Sequence, residues 1–152
     1  MASTARELLR MSRTELDDLF RRSPPGAIPD GDAQGTAIIF PGTRIGWLKA
    51  RLARWLAWRG KVFDAPRGTL VNKITAFDIR AIKAKVYKAM SWFDGQEAII
   101  LDYSKTSLVA RRIRDEIREV APGLYLGQVY WGRTRVCNFA LTFGGHAAGT
   151  SR

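Results

Sequence analysis

The sequence predicts a mainly β fold, an antiparallel barrel of about eight strands, on three observations. Between residues 60 and 143 turn signals divide the chain into short segments, each either alternating or continuously apolar. The segments follow one another through short connections, which is the order of a meander. Only residues 4–22 and 44–58 carry the spacing of an amphipathic helix.

In the helix expected over 4–22, Leu8, Leu9, Leu16, Leu19 and Phe20 form an apolar stripe. Ser12 and Glu15 have the spacing of a capping box, which offers a second start at residue 12. Ser23-Pro24-Pro25-Gly26 ends this helix, and a turn over 28–32 leads to a first strand at 33–40 that stops at Pro41-Gly42. Residues 44–58 then place Ile45, Leu48, Leu52, Trp55 and Leu56 on one face and basic residues beside it, a helix suited to capping one end of the barrel.

Strands are expected at 60–64, 69–75 and 79–90, the last alternating Ile82, Ala84 and Val86 with Lys83, Lys85 and Tyr87, which gives one wet, basic face. Asp94-Gly95 is a hairpin signal leading to a strand at 96–103. Residues 106–113 suit a short helix capped by Thr106 or Ser107. Residues 114–120 suit either its continuation or a strand, and the turn at Ala121-Pro122-Gly123 favours the strand. Further strands at 124–131 and 135–143 complete the single domain (1–143), and residues 144–152 read as a flexible tail.

The charge of +11 from 25 basic and 14 acidic residues favours anionic partners: polyanions, membrane surfaces or small anions. The single cysteine, Cys137, has apolar neighbours and reads as a packed thiol, with no intramolecular disulfide. The first residues lack the apolar run of a signal peptide, and nothing approaches the ~20 apolar residues of a membrane helix, so a cytoplasmic location is expected. The helix at 44–58 adds a peripheral membrane reading, with Trp47, Lys49, Arg51, Arg54 and Trp55 as the contact residues. Its plainer reading is packing against the domain body.

Trp58-Arg59-Gly60-Lys61-Val62-Phe63-Asp64 resembles the W-x-G-K-x-F-D segment of small bacterial proteins with a GXWXG domain and its companion domain of unknown function. Ile100-Leu101-Asp102-Tyr103, Arg118-Glu119-Val120 and Leu124-Tyr125-Leu126-Gly127 are similar to a second stretch of that family in order and spacing. The chain departs from it at Leu56, where the first glycine would stand, and in the order Asp102-Tyr103. The resemblance implies a lipocalin/calycin-like barrel that binds a small apolar ligand, and it brings no agreed catalytic residues.

The candidate site is the polar insert between the apolar segments of 97–132. If those segments are strands of a closed sheet, part of the insert faces inward, where a few polar groups orient a ligand against apolar walls. The candidates are Asp102, Tyr103, Arg114, Arg118, Tyr125 and Trp131, with Asn72 and Tyr87 behind them. An inward arginine suits the carboxylate or phosphate of an anionic, lipid-like ligand. The competing reading pairs Arg114 and Arg118 with Asp115, Glu116 or Glu119 outside the barrel.

No cofactor or metal is expected. His146 is the only histidine, and the glycines have neither P-loop nor dinucleotide spacing. Two other classes remain open. One is a nucleic-acid-binding barrel using Lys83, Lys85, Tyr87, Lys88, Arg133 and Arg135. The other is a cofactor-free isomerase or cyclase, with Asp102 and Glu116 or Glu119 as an acid–base pair. Lys105 as a Schiff-base lysine is weighed against an exposed loop residue, and the loop is favoured.

Overall fold

A computed structural model of the chain describes residues 4–40, 60–73, 82–105 and 110–144. It shows a closed antiparallel barrel of eight strands, each paired with the next and the last paired back to the first. The strands are β1 (Gly31–Ile38), β2 (Gly60–Asp64), β3 (Thr69–Lys73), β4 (Ile82–Met90), β5 (Glu97–Asp102), β6 (Ile113–Ala121), β7 (Leu124–Trp131) and β8 (Thr134–Phe143). The predicted fold class is therefore correct. Residues 114–120 are strand, preceded by a single 3-10 turn at Ala110–Arg112. The helix expected over 44–58 lies outside the described residues.

Alternation along the strands builds the interior. On β8, Cys137, Phe139, Leu141 and Phe143 belong to the barrel core, with Tyr125 and Val129 from β7, Ile113 and Ile117 from β6, and Ile99 and Leu101 from β5. Small residues face large ones across the β1–β8 seam, where Ala33, Gly35 and Ala37 pair with Phe143, Leu141 and Phe139. This is how a narrow barrel accommodates bulky side chains. Gly127 on β7 has the same cause, since a Cβ there would lie 2.2 Å from the Phe139 ring.

The expected N-terminal helix is two helices, α1 (Ala5–Leu9) and α2 (Arg13–Arg22). The reason is Ser12, whose hydroxyl accepts from Glu15 N–H while the Glu15 carboxylate accepts from Ser12 N–H, starting a new helix. Their stripe of Leu8, Leu16, Leu19 and Phe20 packs on the barrel's outer surface against Ala98, Ile100, Val120, Leu124, Leu126 and Ala140. β7 is thus covered on both faces, and its residues Leu124 to Tyr130 are all buried. That explains a continuous apolar run where a one-sided strand would alternate.

Candidate functional site

The polar residues of β6 divide cleanly between the two faces of the sheet. Asp115 shares the inner face with Ile113 and Ile117, which belong to the barrel core, whereas Arg114, Glu116 and Arg118 lie on the alternate face. The inner face of β2 carries Lys61 beside Phe63, and Tyr103 follows β5 into the interior. Inside the barrel, Lys61 Nζ donates to Tyr103 Oη at 2.5 Å and lies 3.5 Å from Asp115 Oδ2. All three residues are at most 3% exposed.

Burial pushes the Lys61 ammonium down in pKa and the Asp115 carboxyl up, each opposed by its attraction for the other. The pair carries no net charge whether its proton sits on Lys61 or on Asp115. Asp115 Oδ1 is buried without a hydrogen-bond partner among the described residues. Such an orphaned acceptor is costly in an apolar interior. The group lies toward the barrel end where β2 begins, β5 finishes and β6 begins.

The opposite end opens into a cleft of about 730 Å³ lined by Pro29, Asp30, Glu119, Pro122, Tyr125 and Phe143, among others. Its floor is aromatic. Tyr125 and Phe143 meet edge to face at 5.5 Å, and Phe63 stands 5.5 Å behind Phe143. Tyr125 Oη donates to Ala27 O at 2.7 Å, tying the segment before β1 to the mouth. Burial and the nearby Glu119 carboxylate raise the Tyr125 pKa well above that of an ordinary phenol. Asp30, Asp32 and Glu119 make the cleft's rim acidic in an otherwise basic protein.

Arg114 and Arg118 are not barrel ligands, which corrects the inward reading. Arg118 bonds Asp94 and three backbone carbonyls beneath α2, and Arg114 reaches Glu116 and Met90 O. The strand period decides this, because Asp115 and the two arginines cannot share a face. Glu116 is fully buried outside the barrel, accepting from Ser91 Oγ and Trp92 N–H, so it cannot form an inward acid–base pair with Asp102. Asp102 also faces outward, accepting from Tyr87 Oη and Ser104 N–H.

Of the remaining candidates, Tyr103 and Tyr125 are inward but belong to separate places, the polar group and the cleft. Trp131 packs half-buried against the barrel core. The backbone of Asn72 pairs with those of Lys61 and Ile82. Trp47, Lys49, Arg51, Arg54 and Trp55 lie outside the described residues, as does His146. Lys105 is exposed, as the loop reading expects.

Lys83, Lys85 and Lys88 are exposed on β4, while Arg135 is held by Asp17 through two bonds. Lys61 and Asp115 are the inward pair that sequence reasoning passed over. Their signal was alternation with Phe63 and with Ile113 and Ile117.

Among the described residues, no group of three or more potential ligands is placed to hold a metal ion, and no helix is long and apolar enough to cross a membrane. No family model and no curated protein matches the sequence. The chain is similar in fold to a protein from Thermomonospora curvata known from a crystal structure, with a TM-score of 0.62 and 19% identity over 87% of each chain.

Proposed function

We propose that the barrel is a binding module for one small amphipathic molecule, taken up at the end bounded by the β6–β7 turn. The cleft of about 730 Å³ carries this reading, because its size falls within the range of small-molecule sites and its floor is aromatic. The apolar part of the ligand lies on Tyr125 and Phe143. Its polar end meets Asp30, Asp32 and Glu119, so that end is neutral or cationic. The anionic ligand expected from inward arginines loses its support once Arg114 and Arg118 face outward. The resemblance to GXWXG-domain proteins supports the same class of function, a barrel holding a small apolar ligand.

Native mass spectrometry of the purified protein, followed by denaturing extraction, tests the proposal. A co-purifying apolar or amphipathic molecule is the expected result. If the protein is empty, titration with the neutral dye Nile red gives one-to-one uptake that weakens in Phe143→Leu. An empty protein that also leaves the dye unbound refutes the reading.

A second reading has its own observation. Trp92, 39% exposed, has the guanidinium groups of Arg114 and Arg133 over its ring, at 4.1 and 4.7 Å from the ring centre. Together with the exposed lysines of β4, this makes a basic and aromatic surface suited to single-stranded nucleic acid. It predicts oligonucleotide binding that falls steeply with salt. Salt-insensitive or absent binding removes it.

A further inference from the structure

We infer that Lys61, Tyr103 and Asp115 form a second binding site inside the barrel, selective for an uncharged hydroxyl group on an apolar molecule. The site lies toward the barrel end opposite the cleft and does not depend on what the cleft binds. Asp115 is 3% exposed and interacts with Lys61 and Tyr103, yet its Oδ1 has no hydrogen-bond partner among the described residues. A buried carboxyl that served only to neutralise Lys61 would be expected to have both oxygens satisfied, since a half-satisfied polar group in an apolar interior costs stability.

The core residues packed around the group are apolar. Ile113, Ile117, Leu101 and Phe139 belong to the same core cluster, and the Phe139 ring centre lies 5.8 Å from Lys61 Nζ. They favour a hydrocarbon around the group.

Charge then selects the ligand's polar atom. A carboxylate brought to Asp115 Oδ1 would place two acceptors and two negative charges together. An ammonium would leave an unbalanced cation beside Lys61. A hydroxyl carries no charge and both donates and accepts. It can satisfy Oδ1 if Asp115 is ionised, and can also do so if Oδ1 carries the proton.

The test measures binding of 1-decanol, decanoate and decylamine, below their aggregation limits, to the full chain and to two variants by isothermal calorimetry. The wild-type protein is expected to bind decanol at least about tenfold more tightly than decanoate, the discrimination given by one hydrogen bond to a charged group, whereas decylamine can also enter the acidic cleft and is read at the barrel site only as the binding that the double variant loses. Asp115→Asn leaves Lys61 without its counter-charge, so decanoate gains on decanol by about tenfold or more.

The double variant Lys61→Met/Asp115→Leu removes both charges and the orphaned oxygen together. It is expected to fold, because well-packed apolar residues commonly replace a buried ion pair without loss. In that variant the preference for decanol over decanoate should disappear. Equal binding of decanol and decanoate by the wild-type protein overturns the inference. So does the same ranking in wild type and the folded double variant, which would place decanol in the cleft instead. No binding of any probe, or a crystal structure grown with decanol that shows only water at Asp115 Oδ1, also overturns it.

Discussion

Arg118→Met should be among the most damaging single substitutions outside the barrel interior. The side chain is 1% exposed, and all five of its N–H donors are used. Nε donates to Glu97 O, Nη1 to Phe20 O and Asp94 Oδ2, and Nη2 to Asp94 Oδ1 and Gln96 O, at 2.7 to 3.2 Å. The guanidinium carbon also lies 4.4 Å from the Phe20 ring centre. One residue thus ties the last turn of α2 to the β4–β5 hairpin.

Methionine keeps the apolar stem of the side chain but leaves the Asp94 carboxylate and three carbonyls without this donor. Breaking a buried pair by removing one partner costs about 3–5 kcal/mol. Asp94 retains 13% exposure and can turn partly to water, so the lower end, about 3 kcal/mol, is expected. For a chain of this length that corresponds to a fall of roughly 6–12 °C in Tm. Urea denaturation followed by circular dichroism measures it. A loss below about 1 kcal/mol, with an unchanged m-value, would refute the view that Arg118 anchors α2. Arg118→Lys should recover only part of the loss, since an ammonium has three donors and no planar fork.

Gly127→Ala places a Cβ 2.2 Å from the Phe139 ring and should cost about 1–3 kcal/mol or more through overpacking. Adding Phe139→Leu should return part of that in the same denaturation assay. The hydrogen bonds from Arg118 hold the Asp94 carboxyl below the usual aspartate range. Its stabilising effect is therefore present above the unfolded aspartate pKa and lost as pH falls through the lower folded value. Denaturation across the acid range should show that loss in wild type and a flatter profile in Arg118→Met.

Burial raises Tyr125 and Tyr130, with Tyr130 pushed up to about 12, and at the more exposed Tyr87 partial desolvation and the bond to Asp102 act in the same direction. Spectrophotometric titration of the folded protein should accordingly find these three ionising above the free-phenol range. Their contribution to stability is complete below the unfolded tyrosine pKa and fades as pH rises through the folded values. Three ordinary transitions near pH ~10 would contradict the burial described.

The barrel was legible because its strands are short, separated by strong turns and patterned by the period of two. The β4 face of Lys83, Lys85 and Tyr87 is exposed as that period requires. β6 was harder, because a strand with charges on both faces has the composition of an exposed helix. Its outward residues are buried by elements remote in sequence, with α2 over Arg118 and the hairpin at 91–96 around Glu116. Nothing local in Arg114-Asp115-Glu116 says which charge faces in. Lys61 was equally hidden, since a lone lysine in a strand is normally exposed, and only its partners forty and more residues away reverse that expectation.

The two sets of charges on β6 together fix its register, which apolar packing alone would leave less determined. Ile113, Ile117 and Val120 offer apolar contacts to both sides of the sheet, because helices cover the outer face as well. A shift of one residue would carry Arg114, Glu116 and Arg118 into the barrel and take Asp115 out of reach of Lys61. Both consequences leave buried charges unpaired, at a cost of several kcal/mol each. The observed pairing of Asp115 with Leu101 and Val129 is the one that satisfies both faces at once. The outer set has a purely structural explanation, since Glu116 and the guanidinium of Arg118 are engaged at every donor or acceptor oxygen they present. The inner set does not, because Asp115 Oδ1 is left over after register and charge balance are accounted for. That surplus acceptor, rather than the presence of charge in the barrel, is what separates a binding group from a folding device.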